Sequence, residues 1–234
     1  MKPSESFCRI YLADVSPLAS SALFDGCYAK MPAARKQKID RLRAAEARRL
    51  SLGAGMLLDL ALRSVGIDFS RAVFSEGRYG KPELPDAPEL RFNLSHSGSV
   101  ALCVLSNLPC GADVERIGRG SMKLARRFFA QDEIAALEAA ERSTGEEGFQ
   151  QLFARVWTRK ESLLKATGEG LSRPLGSFSV LAADPTRLFL EEPLPEGYAT
   201  CVCLLSPATG ESPARCWPEP VRIPVNLPDV LSET

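Results

Sequence analysis

The alternation of apolar and polar positions along the chain predicts two groups of strands, each accompanied by helical segments. Strands are expected where side chains alternate, or where a short apolar run lies between turn residues. The predicted strands are residues 8–15, 71–74, 91–94, 100–105, 111–117, 177–181, 187–190 and 198–205. The prolines around residues 221–225 exclude a helix or a central strand, so an edge strand is predicted there.

Apolar positions three and four residues apart predict helices between these strands. The predicted helices are residues 18–24, 50–62, 124–129, 132–142 and 149–167, and Gly168 is the expected end of the last one. Residues 35–49 carry seven basic residues against two acids, which predicts a basic helix leading into the buried helix 50–62. The pattern predicts an α+β fold with two halves of similar size, residues 1–108 and residues 109–234.

Length and charge exclude several classes of protein. The 234 residues fit one large domain or two small ones, and the formal net charge is zero, which gives no support to nucleic-acid binding. No apolar run approaches the roughly 18 to 20 residues of a membrane span, and residues 1–5 show no signal-peptide core. We therefore expect a cytoplasmic protein that binds neither nucleic acid nor a membrane.

The cysteines indicate packing rather than chemistry. There are seven, an odd number, at positions 8, 27, 103, 110, 201, 203 and 216, without a CxxC pair or a histidine cluster. Several lie in apolar runs, where a thiol behaves as a small hydrophobic group. We expect reduced, buried thiols.

Three carboxylates indicate a site for a hard cation. On a strand over residues 111–117, period-two alternation puts Asp113 and Glu115 on one face. On the helix 149–167, Glu161 and Lys165 are one turn apart and share a face. Magnesium is typically held by a few carboxylates, water and substrate phosphate, whereas zinc prefers His and Cys. These residues favour a magnesium site that handles phosphate.

Two further segments carry groups that bind phosphate. Residues 92–98 include Ser95 and His96, the only histidine of the chain, in a predicted strand exit that could present donors to an anion. Lys81 lies in the loop Gly80-Lys-Pro82 just upstream. Taken singly, each feature has an ordinary structural reading, such as a capped turn, a surface lysine or an i,i+4 helix pair. Their combination, in this order, favours a site.

Together these segments resemble the Sfp-type 4′-phosphopantetheinyl transferases. The motifs that carry the resemblance are Gly80-Lys-Pro82, Phe92-Asn-Leu-Ser-His-Ser97, Gly111-Ala-Asp-Val-Glu115, Phe128-Phe-Ala-Gln-Asp-Glu133 and Trp157-Thr-Arg-Lys-Glu-Ser-Leu-Leu-Lys-Ala-Thr-Gly-Glu-Gly-Leu171. The resemblance extends from the basic segment to Val180, and the last motif is the most specific. It implies two similar α+β subdomains in a pseudo-twofold arrangement, with coenzyme A in the cleft between them.

The resemblance also implies roles for individual residues. Asp113, Glu115 and Glu161 match the Mg²⁺ ligands of the family. Residues that match its contacts to the coenzyme A phosphates are Arg49, Lys81, Ser95, His96 and Lys165. At two positions where the family has basic residues this chain has Ala34 and Gln37, so Arg35, Lys36 and Lys38 are the alternatives for that charge.

The activity implied is Mg²⁺-dependent transfer of 4′-phosphopantetheine from coenzyme A to a serine of an acyl or peptidyl carrier protein, with release of adenosine 3′,5′-bisphosphate. Lys165 would neutralise charge, and Glu161, Glu133 or a metal-bound water would take the serine proton. A monomer would suffice, since both halves share one cleft. Two other readings are a non-catalytic module that binds coenzyme A or a carrier, and a Mg²⁺-dependent phosphohydrolase acting on a nucleotide.

Overall fold

Two β-sheets pack against each other between layers of helices in the computed structural model, which describes residues 6–77, 79–192, 196–206 and 217–232. The strands of the first sheet are β1 (Cys8–Asp14), β4 (Arg91–Ser97), β5 (Val100–Ser106) and β9 (Pro220–Pro224), in the order β4-β5-β1-β9. Those of the second are β6 (Cys110–Arg116), β7 (Arg187–Leu190) and β8 (Tyr198–Leu205), in the order β6-β8-β7. A short ribbon joins β2 (Ser75–Glu76) to β3 (Pro82–Glu83).

The helices lie on the outer faces of the sheets. They are α1 (Ser21–Ala29), α2 (Ala33–Asp40), α3 (Ala45–Arg63), α4 (Met122–Phe128), α5 (Gln131–Thr167) and α6 (Leu227–Ser232). Helix α5 bends at Gly145, whose φ of 69° is not helical, and it ends at Gly168 in the left-handed conformation. Helix α3 packs on the first sheet, and the second half of α5 packs on β6 and β8 of the second.

Alternation along the strands divides the apolar side chains between separate cores. In the first sheet, Ile10 and Val104 face the second sheet, whereas Tyr11 and Cys103 face the helices. In the second sheet, Val114 joins the layer between the sheets, and Asp113 is directed toward α5 instead. The prediction that Asp113 lies on the face opposite Val114 is confirmed.

Gly111 allows β6 and α5 to approach closely. A Cβ atom at this position would lie 2.1 Å from the carbonyl oxygen of Ser162 and 2.4 Å from the amide nitrogen of Ala166. Both contacts are to helix backbone, which cannot turn aside as a side chain can. Only glycine fits this crossing, which brings the side chains of α5 against those of β6.

The α+β class is confirmed, and so are most of the predicted elements. The strands at 187–190 and 198–205 agree in both boundaries, and the predicted edge strand at 221–225 is β9. Two predicted strands are wrong. Residues 71–74 precede β2 without forming a strand, and the segment 177–181 follows a 3-10 helix at Leu175–Ser177 and contains no strand.

Other boundaries also differ from prediction, and the helices predicted at 132–142 and 149–167 form the single helix α5. Residues 41–44 interrupt the basic and buried helices, so α2 and α3 are separate elements. The predicted helix at 18–24 is a 3-10 turn at Ser16–Ala19 followed by α1. The segment 92–97, expected as a strand exit, lies within β4 and pairs with β5 as far as Ser97.

The C-terminal segment returns to the first sheet. Strand β9 pairs in parallel with β1, and Arg222 of β9 lies 2.7 Å from Glu192, which follows β7. The predicted division at residues 108 and 109 stays a prediction. The tail segment 207–216, with Cys216, lies outside the described residues. Within the described ranges, every helix is too short or too polar to cross a bilayer.

Candidate functional site

The edge strands of the two sheets, β4 and β6, meet side by side without pairing as a ladder. The outer edge of β6 has peptide groups that no neighbouring strand satisfies. Side chains of β4 accept from two of its N–H groups: Asn93 Oδ1 accepts from Ala112 at 2.9 Å, and Ser95 Oγ accepts from Val114 at 3.2 Å. Polar side chains of β4 thus hold β6 in register with the first sheet.

Two lysines satisfy the carbonyl groups of the same edge. Lys81 Nζ donates to the carbonyl oxygen of Cys110 at 2.8 Å, and Lys165 Nζ donates to that of Ala112 at 3.0 Å. The ammonium of Lys165 also lies 2.6 Å from Asp113 Oδ1 and 3.4 Å from Ser95 Oγ. Lys165 therefore connects helix α5, strand β6 and strand β4 at one point.

A cavity of about 500 Å³ opens at this seam. Elements of both halves line it: α2 and α3 from the first, β4 and β6 at the seam, and α5 from the second. The polar side chains in its wall are Arg35, Lys38, Ser51, Ser95, His96, Asp113, Glu115, Glu161 and Lys165. The three carboxylates predicted from the sequence therefore share one cavity, although Asp113 and Glu161 are far apart in the chain.

The acidic side chains are held in different ways. Asp113 is 4% exposed, and its Oδ1 accepts from Ser95 Oγ at 3.0 Å as well as from Lys165. Its other oxygen, Oδ2, is buried without a hydrogen-bond partner. Ser97 Oγ donates to Glu115 Oε2 at 2.9 Å, and Arg119 lies 3.9 Å from the same oxygen.

Burial and the charge of neighbouring carboxylates raise the pKa of two acids in the cavity, Asp113 and Glu161. Burial raises the pKa of Asp113 to about 6 against the opposing effect of Lys165, and the charges of Glu115 and Glu161 act in the same direction as burial. Burial likewise raises the pKa of Glu161, with a further contribution from Glu115. A cation among the three carboxylates would relieve both effects.

The donor set fits a hard divalent cation by its chemistry. Three carboxylates line one cavity, and the unpartnered Asp113 Oδ2 is a buried acceptor for such an ion. The described side chains do not form a ready-made coordination shell, since no three acidic, histidine or cysteine groups among them are clustered tightly enough to hold a metal. Lys165 occupies the other oxygen of Asp113.

His96 lines the cavity among positive charges. Burial lowers the pKa of His96, and the charges of Arg35, Lys165 and Lys38 lower it further. The imidazole is therefore expected to be neutral until an anion enters, because a negative charge nearby favours the imidazolium.

Lys81 lies outside this cavity. Its ammonium donates to the carbonyl oxygens of Cys110, Lys165 and Ala166, and burial lowers its pKa. The three carbonyls fix the end of helix α5 against the start of β6. A contact from Lys81 to phosphate is therefore not supported by this arrangement.

Glu133 does not line the cavity either, because it forms a buried ion pair with Lys160. It is fully buried, with Oε2 2.8 Å from Lys160 Nζ, and its two oxygens accept from the N–H groups of Ala130 and Val180. A carboxylate that is engaged in this ion pair and does not line the cavity is not placed to act as a base. The prediction that included Glu133 among the catalytic residues is not supported.

Arg49 lies in a neighbouring cavity of about 290 Å³, together with Glu46, Arg116 and Tyr198. The phosphate contact expected of Arg49 stays a prediction, at a wall other than that of the larger cavity. Of the three alternatives in the basic segment, Arg35 and Lys38 line the larger cavity. Lys36 instead donates to the carbonyl oxygen of Ala29 and lies over the ring of Tyr28.

Sequence reasoning missed two contributors to the site. Asn93 lies within the motif at residues 92–97, but its role in holding the edge of β6 depends on a contact between two strands. Ser51 lines the cavity from helix α3, where its spacing marks it only as part of a buried face. Neither role has a signal in local sequence.

Comparison with known proteins identifies the family of the chain. Residues 109–210 match the family model of the 4′-phosphopantetheinyl transferase superfamily. A 4′-phosphopantetheinyl transferase of Bacillus subtilis is 34% identical over 194 residues, which are 82% of this chain and 84% of that protein. The 4′-phosphopantetheinyl transferase Sfp of Bacillus subtilis strain 168 is 36% identical over 67% of both chains. HetI, a 4′-phosphopantetheinyl transferase of a Nostoc species, is 37% identical over 54% of both.

Proposed function

Since the chain belongs to the 4′-phosphopantetheinyl transferase superfamily, we propose that it moves 4′-phosphopantetheine from coenzyme A to a serine of an acyl or peptidyl carrier protein, releasing adenosine 3′,5′-bisphosphate in a Mg²⁺-dependent reaction. Its relatives are 4′-phosphopantetheinyl transferases, and the similarity covers most of their length. The chain is therefore a phosphopantetheinyl transferase that uses coenzyme A and acts on carrier proteins. The metal, the product and the residue roles are the further steps of the proposal.

One observation carries these further steps: Asp113, Glu115, Glu161 and Lys165 line a single cavity together with Ser95 and His96. A pyrophosphate brings negative charge that grows on the leaving group as the P–O bond breaks. The cavity offers an ammonium, a hydroxyl and an imidazole for this charge. Its carboxylates would hold Mg²⁺, which supplies Lewis-acid stabilisation of phosphate oxygens when bound.

The residues of the chain then have the following roles. Asp113, Glu115 and Glu161 would hold the ion, and Lys165 neutralises phosphate charge. Ser95 and His96 donate hydrogen bonds to phosphate oxygens, His96 as the imidazolium once the anion is bound. The serine Oγ of the carrier forms a bond to the phosphorus that bears pantetheine, and the bond to the second phosphate breaks, with its electron pair leaving on adenosine 3′,5′-bisphosphate.

The serine proton needs an acceptor near the reacting phosphorus. Of the two carboxylates considered, Glu161 lines the cavity and Glu133 is sealed in its ion pair with Lys160. We therefore assign the proton to Glu161.

One chain supplies every residue of the site, which supports a monomer as the active form. The six described cysteines are free and buried, which supports a reducing compartment such as the cytoplasm. The zero net charge supports the absence of nucleic acid among the partners.

A mass measurement on a carrier tests the proposal. The protein is incubated with Mg²⁺, coenzyme A and an apo carrier, and the carrier is weighed by mass spectrometry. A gain of one phosphopantetheine group, with adenosine 3′,5′-bisphosphate in the supernatant, is expected. An unchanged carrier with bound coenzyme A would indicate a binding module instead. Nucleotide or phosphate released without any carrier would indicate a phosphohydrolase.

A further inference from the structure

Two serines of β4 face two carboxylates of β6 across the seam between the sheets. Ser95 Oγ donates to Asp113 Oδ1 at 3.0 Å, and Ser97 Oγ donates to Glu115 Oε2 at 2.9 Å. In each strand the two residues are two positions apart, so their side chains lie on the same face of that strand. The two hydrogen bonds therefore repeat one arrangement, in which a serine holds one oxygen of an acid.

The second oxygen of each acid has no hydrogen-bond partner among the described residues. Asp113 Oδ2 is buried in this state, and no group in the described part of the chain donates to Glu115 Oε1. Arg119 lies 3.9 Å from Glu115 Oε2, the oxygen that Ser97 already holds. A carboxylate that is fixed through one oxygen presents the other in a defined direction, as a ligand of a cation in the cavity requires.

Ser97 is itself held in place, because it ends β4 at a tight hairpin turn. It is buried and pairs with Val100, the first residue of β5. Gly98, one of the two residues between them, has a φ of 58°. The favoured two-residue hairpin turns require a positive φ at this first central position, which glycine adopts without strain. The position of the Ser97 hydroxyl therefore depends on this turn.

Tyr198 of the second sheet holds the same turn from the other side of the seam. Its hydroxyl oxygen accepts from the N–H group of Ser99 at 2.9 Å, and a Cβ atom at Gly98 would lie 2.2 Å from that oxygen. Tyr198 also pairs with Arg116, the neighbour of Glu115, in the ladder between β6 and β8. Tyr198 is therefore linked to the carboxylate by two routes, one through the hairpin turn and one through β6.

We propose that Ser97 is a positioning residue that orients Glu115 toward the Mg²⁺ ion, and that Tyr198 supports Ser97 by holding the hairpin turn. This inference rests on the proposed function, which includes the ion. The Ser97 hydroxyl has one proton and donates it to Glu115, so Ser97 acts through the carboxylate and not on the substrate. Loss of a group that orients a metal ligand typically costs about 10- to 100-fold in metal affinity or activity.

The Mg²⁺ requirement of transfer is the first measurement. The rate at saturating coenzyme A and carrier is followed against Mg²⁺ concentration in wild type, Ser97→Ala, Ser97→Thr and Tyr198→Phe. We expect the concentration for half-maximal rate to rise about tenfold in Ser97→Ala and by a smaller factor in Tyr198→Phe, with kcat at saturating Mg²⁺ close to that of wild type. Ser97→Thr keeps the hydroxyl and should retain most of the affinity.

Ser70→Ala is the matched control, because Ser70 Oγ also donates to a carboxylate, that of Asp68, at 2.7 Å. Both residues are exposed and neither lines the cavity, so the Mg²⁺ requirement should not change. An unchanged requirement in Ser97→Ala, or a requirement in Ser97→Thr as high as in Ser97→Ala, would overturn the proposal. Should Ser97→Ala fail to fold, Tyr198→Phe decides in the same way, since it removes a single hydroxyl group.

Melting temperature provides a second readout that needs neither carrier nor transfer. At one Mg²⁺ concentration below saturation, the increase in melting temperature should be smaller in Ser97→Ala than in wild type and Ser70→Ala, because a weakly bound ion stabilises less. Equal increases in the three proteins would reject the role of Ser97.

The two readouts separate this inference from the proposed function. If wild type transfers nothing to any carrier, the proposed function fails, and the increase in melting temperature with Mg²⁺ still decides the role of Ser97. If wild type transfers at the same rate without Mg²⁺ and shows no such increase, this inference fails while the transferase activity stands.

Discussion

Lys160 and Glu133 form an ion pair inside the second half of the molecule, with Nζ 2.8 Å from Oε2 and both side chains fully buried. Lys160 also donates to the carbonyl oxygens of Leu175 and Phe178. The pair thus joins the start of α5, its last turns and the loop 175–180. Because Lys160 precedes Glu161 in the helix, this network fixes the rotation of α5 that directs Glu161 into the cavity.

The structural role of Glu133 predicts a specific pattern in Glu133→Gln. The amide oxygen can still accept from one of the two backbone N–H groups, but the ion pair and the second acceptor are lost, so stability should fall by a few kcal/mol. We expect kcat to change less than about tenfold, whereas loss of a general base costs roughly a hundredfold or more. Thermal denaturation and kcat at saturating coenzyme A measure the two effects.

Glu138→Gln is the control for Glu133→Gln, because Glu138 is an exposed acid of the same helix paired with Arg126. It should leave both stability and kcat unchanged. A hundredfold loss of kcat in Glu133→Gln, at unchanged melting temperature, would restore Glu133 as the base.

The crossing of β6 and α5 predicts that Gly111→Ala disrupts the site. The new Cβ would overlap backbone atoms of Ser162 and Ala166, so strand and helix must separate. Overpacking of this kind costs about 1–3 kcal/mol, and here it also moves Lys165 away from Asp113. We expect a lower melting temperature and a large loss of transfer activity.

Gly176→Ala provides the matched comparison for Gly111→Ala. A Cβ at Gly176 would meet its nearest atom at 3.5 Å, an ordinary contact, and its φ is not positive. That variant should retain activity. Full activity in Gly111→Ala would show that the separation of β6 and α5 does not govern the site.

The three carboxylates predict that Mg²⁺ stabilises the protein through them. Asp113→Ala and Glu161→Ala each remove a ligand from the cavity wall without removing core packing, so both should fold and lose at least about a hundredfold in transfer. In wild type, Mg²⁺ should raise the melting temperature, because a ligand that binds only the folded state stabilises it. In either variant this increase should be much smaller.

Glu141→Ala tests whether any lost acid has the same effect, since Glu141 is exposed on α5. It should behave as wild type with Mg²⁺. If both Asp113→Ala and Glu161→Ala kept transfer activity and the Mg²⁺-dependent increase in melting temperature, the ligand assignment would be rejected.

The sequence predicts those parts of the site that depend on local periodicity. Alternation in β6 places Asp113 and Glu115 on one face, and helical spacing places Glu161 and Lys165 on another. Both relationships survive folding because each lies within one element. The predicted carboxylate cluster requires only that the two elements face each other, and Gly111 brings them together.

Roles that depend on contacts between elements could not be predicted. Lys81 and Glu133 lie in motifs and carry suitable charges, yet Lys81 is held by carbonyl groups and Glu133 by Lys160. Arg35 lines the cavity although nothing in the sequence of the basic segment distinguishes it from Lys36. The side chain of Arg35 passes over Gly55 of α3, and this arrangement exists only once α2 and α3 have packed.

The buried cysteines predict low thiol reactivity. Burial raises the pKa of Cys8, Cys110 and Cys201 to about 12, and raises those of Cys27, Cys103 and Cys203 as well. At pH 8 a thiol of pKa 12 is ionised in about one molecule in 10⁴, and the thiolate is the reactive form. We expect Cys216→Ser, which removes the thiol outside the described residues, to react slowly with Ellman's reagent.

In denaturant, all six remaining thiols of the same Cys216→Ser protein should react at once with Ellman's reagent. This reaction is the control for the reagent and for the protein concentration. A rapid equivalent from the native variant would show that one of the six thiols is accessible.

Gly55 and Arg35 should behave as one unit in a double-mutant cycle. In Gly55→Ala the new methyl group would push the guanidinium out of its path, and the flexible end of Arg35 can move without disturbing the core. The helix itself should gain up to about 1 kcal/mol, because alanine favours an α-helix over glycine. We therefore expect a melting temperature at or above that of wild type, with the KM for coenzyme A raised as in Arg35→Ala, because the guanidinium would leave the cavity wall.

The double variant separates this role of Gly55 from a general effect on α3. If Gly55 acts only through Arg35, then Gly55→Ala should not alter the KM for coenzyme A in a background that already carries Arg35→Ala. The stabilisation by alanine should persist there, because it depends on the helix alone. Increases in KM that add in the double variant would mean that Gly55 affects the cavity by another route, since the two residues would then act independently.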